Sequence, residues 1–445
     1  MNLDFDAVVV GAGPAGAAIS ILLAKAGWQV ALVERKNFPR RKVCGECIAA
    51  SNIPLLEALG IGGSFLRAAG PELRRVAWMR GARTVIAGLP PAGNAQRAWG
   101  RALGRETLDA LLRDQARAVG VEVLQPWSVD AIEGEAGAMW CTLHALAPEA
   151  ADQTAQYLRA PIVIAAHGSW EMLPSERRAA TQGKRASDLL AFKANFRDSG
   201  LEHGLLPVLS LRGGYGGMVI GDDAMLTLAC CLRRDRLEEL REGAPGIGAG
   251  VVVERALRRE CRGVDAALAG ARREGPWLAS GPLAPGIRLH EGESILRVGN
   301  AAGEAHPIIG EGISIALQSA WLLAAHLVEA QDRLGLAQER FDKREFAHVQ
   351  ARYVQDWRRH FAWRLRFAAA FAHLAMRPIL AEPLLLALAF WPGGLTQGAR
   401  WSGKIDYLRL RHQKMPSPIA IADRTMTISA SRTSRETDSI AAPKK

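Results

Sequence analysis

Residues 6–34 constrain the fold of this chain more than any other stretch. A short apolar run at residues 6–10 stops at Gly11-Ala12-Gly13-Pro14-Ala15-Gly16, helical apolar spacing covers residues 14–26, and a second apolar run at 29–34 ends in Glu34. Strand, glycine-rich turn, helix and strand in that order make a βαβ unit, which commits the chain to a parallel sheet. Gly11 permits the tight turn, Gly13 lets the backbone approach a pyrophosphate, and Gly16 lets the helix lie close on the strand. The helix N-terminus, with Pro14 and Ala15 in its first turn, faces the phosphates, and Glu34 is placed to accept from a ribose hydroxyl. The segment predicts a dinucleotide site at Gly11, Gly13, Pro14, Ala15, Gly16 and Glu34. It does not distinguish NAD from FAD. A basic stretch follows (Arg35, Arg40, Arg41, Lys42), which either contacts phosphate or is a solvated loop.

The chain has 445 residues, a length that suggests about three domains. Hydrophobic residues make up 49% and charged residues 23%, an ordinary globular balance. Of the formal charge of +11, residues 341–445 carry +10, so the body is nearly neutral and no nucleic-acid partner is expected. The basic C-terminal region either makes peripheral contact with an anionic surface such as a membrane or is a solvated tail. Six cysteines in no disulfide-like framework point to a reducing, cytoplasmic setting. No basic n-region and apolar h-region precede the first strand, so no signal peptide is expected. The most apolar C-terminal run, residues 379–391, is short and interrupted by Glu382 and Pro383.

Further along, residues 49–59 read as a helix closed by Gly60, residues 105–119 as an amphipathic helix, and 121–124 and 161–166 as strands. From about 185 to 300 the alternation is strand-like with turns between, which predicts a mostly antiparallel sheet. A strand at 294–298 leads into a long helix from Gly310, residues 333–391 are helical, and the stretch beyond about 412 has a disordered composition.

The second informative segment is Arg297-Val-Gly299-Asn300-Ala301-Ala-Gly303, followed by His306-Pro307-Ile-Ile-Gly310-Glu311-Gly312 and an apolar helix. Here the chain resembles the FAD-dependent oxidoreductases that include the aromatic hydroxylases and the geranylgeranyl reductases. Those families carry a Gly-Asp-Ala-Ala-Gly segment and a Pro-x-x-Gly-x-Gly turn. Two further segments match: Arg105-x-x-Leu-Asp109, and Lys42-Val-Cys44-Gly-Glu46, which is similar to the Lys-x-Cys-Gly of the reductase branch. The resemblance implies an α/β fold. A discontinuous Rossmann-type FAD-binding domain, glutathione-reductase-like, spans 1–70, 100–185 and 290–330, and an inserted β-sheet substrate domain spans 71–99 and 186–289. C-terminal helices follow at 331–411, then a basic tail at 412–445. It also implies FAD as cofactor, NAD(P)H as co-substrate and a lipophilic small-molecule substrate. The cofactor residues become Gly11, Gly13, Pro14, Ala15, Gly16, Glu34, Arg35, Arg105, Gly299, Asn300, Ala301, Gly303, Pro307, Gly310, Glu311 and Gly312. Physically, the 299–303 backbone can follow a ribityl chain and its phosphate. The helix after Gly312 supplies positive partial charge where reduced flavin is anionic.

Departures from the family pattern are His167 in place of an Asp before Gly168, and Asn300 in place of Asp. The resemblance to the reductase branch implies that Cys44 lies near flavin and substrate, which makes it a candidate catalytic residue, as proton donor or in positioning, with a packed loop cysteine as the alternative. A Cys44–Cys47 dithiol lacks a helix N-terminus to activate it, and a zinc site lacks further ligands. His306 is the other catalytic candidate, for acid–base work or as a structural histidine. Arg105 either touches the cofactor or makes a surface salt bridge. Cys230 and Cys231, adjacent on a strand, point to opposite faces as core residues. Gly213-Gly-Tyr215-Gly-Gly217 stands where reductases carry a Tyr-x-Trp-x-Phe wall, and the Trp-x-Trp-x-Ile-Pro element of tryptophan halogenases is absent. The expectation is an NAD(P)H-using monooxygenase hydroxylating a lipophilic, aromatic or polyketide-like molecule. A reductase of isoprenoid C=C bonds and a non-catalytic, membrane-associated FAD-binding protein are the alternatives.

Overall fold

The computed structural model describes residues 2–92, 97–146, 155–169, 173, 183–337 and 341–402. The expected tail at 412–445 lies outside them. Eleven helices are described: α1 (Pro14–Lys25), α2 (Ile53–Leu59), α3 (Gly62–Ala68), α4 (Arg105–Ala118), α5 (Arg234–Glu242), α6 (Ala249–Glu260), α7 (Arg262–Leu268), α8 (Gly312–Ala337), α9 (Lys343–Ala375), α10 (Pro378–Phe390) and α11 (Gly393–Trp401).

The N-terminal βαβ unit seeds a five-stranded parallel sheet. Its order is Leu296–Arg297, Ile162–Ala165, Ala7–Val10, Val30–Val33, Glu122–Leu124. Central strands that are buried throughout read as continuous apolar runs, as AVVV, VALV and IVIA do here. Helices α1, α4 and α8 pack on this sheet through Ile19, Leu23, Leu108, Leu112, Ile315 and Leu323. A four-stranded sheet (Asn2–Asp4, Gln156–Ala160, Ala138–Ala145, Trp127–Glu135) lies on the other side, through Val129, Cys141 and Leu158.

The second large sheet has seven strands in the order Arg272–Leu283, Leu189–Arg197, Leu226–Arg233, Gly214–Ile220, Leu205–Leu211, Arg75–Arg80, Arg83–Gly88. All its pairs are antiparallel except Leu205–Leu211 with Arg75–Arg80, which is parallel. Residues 75–88 thus join the same sheet as residues 189–283. The sequence reading of 185–300 as strand and turn is corrected at 234–268, which forms α5, α6 and α7. There the buried residues Val252, Val253, Ala256 and Leu257 recur at three- to four-residue spacing, which is helical and not alternating.

The C-terminal helices cover the junction of the two sheets. Asp342 caps α9 by accepting from the Glu345 N–H at 2.8 Å. Helix α9 buries Tyr353, Trp357 and Phe361, then the chain turns by 102° into α10. Ala381, Leu385 and Leu388 of α10 close over Trp78 and Val85 of the seven-stranded sheet. Residues 312–335 of α8 are long and apolar enough to cross a membrane, but 89% of that span's apolar window is buried inside the protein. It is a core helix.

Candidate active site

The loop between Val10 and α1 shows what each glycine does. Gly11 has φ +105°, and a Cβ there would lie 2.7 Å from the Ala166 carbonyl oxygen. A Cβ on Gly16 would lie 1.8 Å from the Gly11 oxygen, so this position holds helix against strand. Gly13 differs: the nearest atom to its Cβ position is the Arg105 guanidinium at 3.7 Å. That space is open inside the fold, as a pyrophosphate approaching the backbone requires. No side chain caps α1, whose first N–H groups are left for a ligand.

Glu34, buried at the end of its strand, accepts from the Ala12 and Lys36 N–H groups, each at 2.9 Å, with Arg40 at 3.4 Å. Arg35 follows it, its Nε buried without a hydrogen-bond partner. Arg105, at the start of α4, is not on the surface: it is buried and grips Asp109 through two hydrogen bonds of 2.7 Å. Burial opposes its charge, but the Asp109 carboxylate outweighs burial and raises its pKa. The surface-salt-bridge alternative is thereby corrected.

The second half of the site is the turn before α8. Gly299, with φ +61°, abuts Ala15 of α1, and its N–H donates to Ser319 Oγ at 2.8 Å. Ala301 is fully buried, and Gly303 lies against the Trp357 ring. Asn300 donates through Nδ2 to Ser169 Oγ, which donates to Glu304, both at 2.8 Å, while Arg288 pairs with Glu304 at 2.8 Å. Gly310 closes the Pro307–Ile309 turn in the left-handed region at φ +65°. Gly312 opens α8 with nothing within 4 Å of its Cβ position. Glu311 points inward, fully buried and paired with Arg364 of α9. His167 stands beside Gly11, its Cα 3.0 Å from that residue's Cβ position.

One cavity of about 420 Å³ joins these parts. Gly13, Pro14, Ala15, Arg105, Asn300, Pro307, Gly310 and Gly312 line it, as does Cys44. Gly11, Gly16, Glu34, Arg35, Gly299, Ala301, Gly303, Glu311 and His306 are not on its wall. The far wall comes from the seven-stranded sheet (Trp78, Phe192, Tyr215, Met218), and the end from Phe367, Leu384, Leu388, Leu395 and Trp401 of the C-terminal helices. Cys44 is half-buried, accepts from the Glu46 N–H at 3.3 Å and lies in reach of the Arg105 guanidinium. Cys47 is buried in a two-residue strand paired with Arg101–Ala102, and both thiols are free.

His306 is buried, with its Nδ1 3.1 Å from the Tyr215 hydroxyl and its ring 5.6 Å from that of His373. Burial, with the neighbouring His373 adding to it, pushes the His306 pKa down to about 4. Burial also raises the Tyr215 pKa and pushes Cys231 up to about 12. Tyr215 on the wall and His306 behind it are therefore neutral near pH 7. Cys230 and Cys231 belong to different clusters on the two faces of the sheet, and both touch the cavity.

A buried polar hub at Glu46 escaped the sequence reading. Glu46 accepts from the Arg105 N–H at 2.8 Å, from Thr227 Oγ1 at 2.6 Å and from Lys193 Nζ, and its backbone sits at φ +57°. The available signal was a lysine in the middle of the apolar strand at 189–197, which no exposed position explains.

Residues 4–220 match the family described as FAD binding domain. Over those residues the chain is similar to the FAD-dependent oxidoreductases. The match supports FAD as the cofactor of this domain. Among curated proteins it is similar to conditioned medium factor receptor 1 of Dictyostelium discoideum, 26% identical over 400 residues, 83% of this chain and 69% of that protein. It is also similar to Menaquinone reductase of Mycolicibacterium smegmatis, 44% identical over 61 residues. That match spans 14% of this chain and only 15% of the reductase. Among solved structures, a flavin-dependent brominase superposes with a TM-score of 0.69 at 16% identity, covering 96% of this chain and 100% of the other, a likeness of fold. The residues fit FAD: an open Gly13, an uncapped α1, an unpartnered Arg35 Nε and an open Gly312.

Proposed function

We propose that this flavoprotein is an NAD(P)H-using monooxygenase that hydroxylates a lipophilic aromatic or polyketide-like molecule. The supporting observation is the continuous cavity that joins Gly310 and Gly312 to an apolar chamber between the seven-stranded sheet and the C-terminal helices. FAD held at Gly13, Arg105, Asn300 and the 307–312 turn supplies the two-electron and O₂ chemistry that side chains lack. The chain's own residues bind, orient and exclude water. Trp78, Phe192, Met218 and Leu388 take the apolar body of the substrate. Tyr215, on the wall and hydrogen-bonded to His306 behind it, offers its hydroxyl to orient a phenolic hydroxyl of the substrate. Gly312 and Ile313 at the start of α8 line the cavity, so the helix N-terminus would lend positive partial charge to a bound anionic group there.

The test is aerobic turnover of long-chain alkylphenols by FAD-loaded protein with NADPH under ¹⁸O₂. One labelled oxygen per product, with NADPH and O₂ consumed together, supports the reading. A product that instead gains two hydrogens anaerobically moves the assignment to reduction of an isoprenoid C=C bond. Cys44 on the cavity wall beside Arg105 favours that second reading, as a thiol placed to deliver a proton.

A further inference from the structure

Helix α10 carries two apolar stripes. Ala381, Leu385 and Leu388 face the protein. On the opposite side Ile379, Pro383, Leu386 and Phe390, spaced i, i+4, i+7 and i+11, form a second stripe that faces solvent. Ile379 is 86% exposed and Phe390 91%, and the adjoining Trp391 and Trp401 are 66% and 53% exposed. A helix that only roofed the core would carry polar residues on that side. We propose that this outer face of α10 and α11 is a docking surface for an anionic phospholipid bilayer, and that the cavity opens there to the acyl layer.

Three observations single out a bilayer as the occupant. First, charge: among residues 359–402 the exposed basic residues are Arg359, Arg366, Arg377 and Arg400, and the one acid, Glu382, is paired with both Arg80 and Arg83. A basic rim around an apolar stripe suits an anionic lipid surface. Second, length: at 13 residues α10 is too short to span a membrane, and its far side is fixed to Trp78 and Val85, so it lies in the interface plane. Tryptophans at its C-terminal end sit where interfacial aromatics do. Third, continuity: Trp401 is exposed and also lines the cavity with Leu384, Leu388 and Leu395, so the apolar chamber reaches the surface at this patch. Substrate delivery from lipid rests on the lipophilic-substrate reading above, whereas docking does not.

Flotation of full-length holoprotein with 7:3 phosphatidylcholine:phosphatidylglycerol vesicles tests it. The protein is expected to float with these vesicles, and the Ile379→Glu/Phe390→Glu double variant to lose about tenfold or more of the bound fraction, at unchanged melting temperature and FAD content. Neither residue lines the cavity, so a folding or cofactor defect is not expected. Brominated acyl chains should quench part of the wild-type tryptophan emission, a part missing from Trp391→Phe. The proposal is overturned if the double variant binds like wild type, which would assign binding to the basic residues 403–445. It is also overturned if wild type does not float, or if the patch instead holds a dimer that the double variant dissolves. Binding is read without turnover, so loss of docking and failure of hydroxylation are separate results.

Discussion

At the scale of single residues, the two glycines of the N-terminal turn make opposite demands. Gly13→Ala adds a methyl group where nothing lies closer than 3.7 Å, so the apoprotein should keep its melting temperature while FAD affinity falls about tenfold or more. Gly16→Ala puts a methyl group 1.8 Å from a backbone oxygen and should destabilise the apoprotein itself. Flavin retention and thermal unfolding of the two variants, measured side by side, separate a ligand glycine from a packing glycine. His306 has its own signature. Its folded pKa of about 4 lies below the ordinary value of 6.5, so the unfolded chain binds the proton more readily. Its contribution is fully present above pH 6.5 and lost as pH falls towards 4, at most about 3 kcal/mol. His306→Gln should flatten the stability slope between pH 6.5 and 4.5, as read by urea unfolding. The turn glycines were legible in the sequence because their roles are local. Glu46 was visible as part of a motif, but its partners Lys193 and Thr227 lie more than 140 residues away, and only the sheet brings them together.

At the scale of elements, one ion pair ties the C-terminal helices to the cofactor turn. Glu311 is fully buried with Oε1 unpartnered, and its Oε2 is held by Arg364 of α9, which also donates to Gln318 at 2.7 Å. Arg364→Met leaves a buried carboxylate uncompensated and should cost about 3–5 kcal/mol in urea unfolding. Arg364→Met combined with Glu311→Gln should recover part of that loss, since a neutral amide is cheaper to bury than a lone charge. The parallel sheet was legible because its buried strands read as unbroken apolar runs, and α9 and α10 because their apolar spacing is helical. Helices α5–α7 were missed for the converse reason: between strands of clear alternation, three short helices carry too few turns to stand out. That α9 reaches back to Glu311 follows from tertiary packing of α9 on α8, which residue spacing along the chain does not encode.

At the scale of the whole molecule, the protein is a cofactor cradle, a sheet wall and a helical roof enclosing one chamber, and the roof sets how long a substrate fits. Leu384 is half-buried, lines the chamber's distal end and packs against the cluster of Trp78, Val85 and Leu385. Leu384→Trp adds an indole at that end while leaving Gly13, Arg105 and the 307–312 turn as they are. If the chamber holds an extended apolar tail with its reactive head at the turn, the variant should lose about tenfold or more in kcat/KM for a long-chain alkylphenol. For a short-chain analogue that never reaches Leu384, it should keep wild-type kcat/KM. NADPH-dependent turnover across a series of chain lengths reads the cut-off directly. Equal losses for all lengths would mean that the tail does not run towards α10, and would remove the roof from the substrate path.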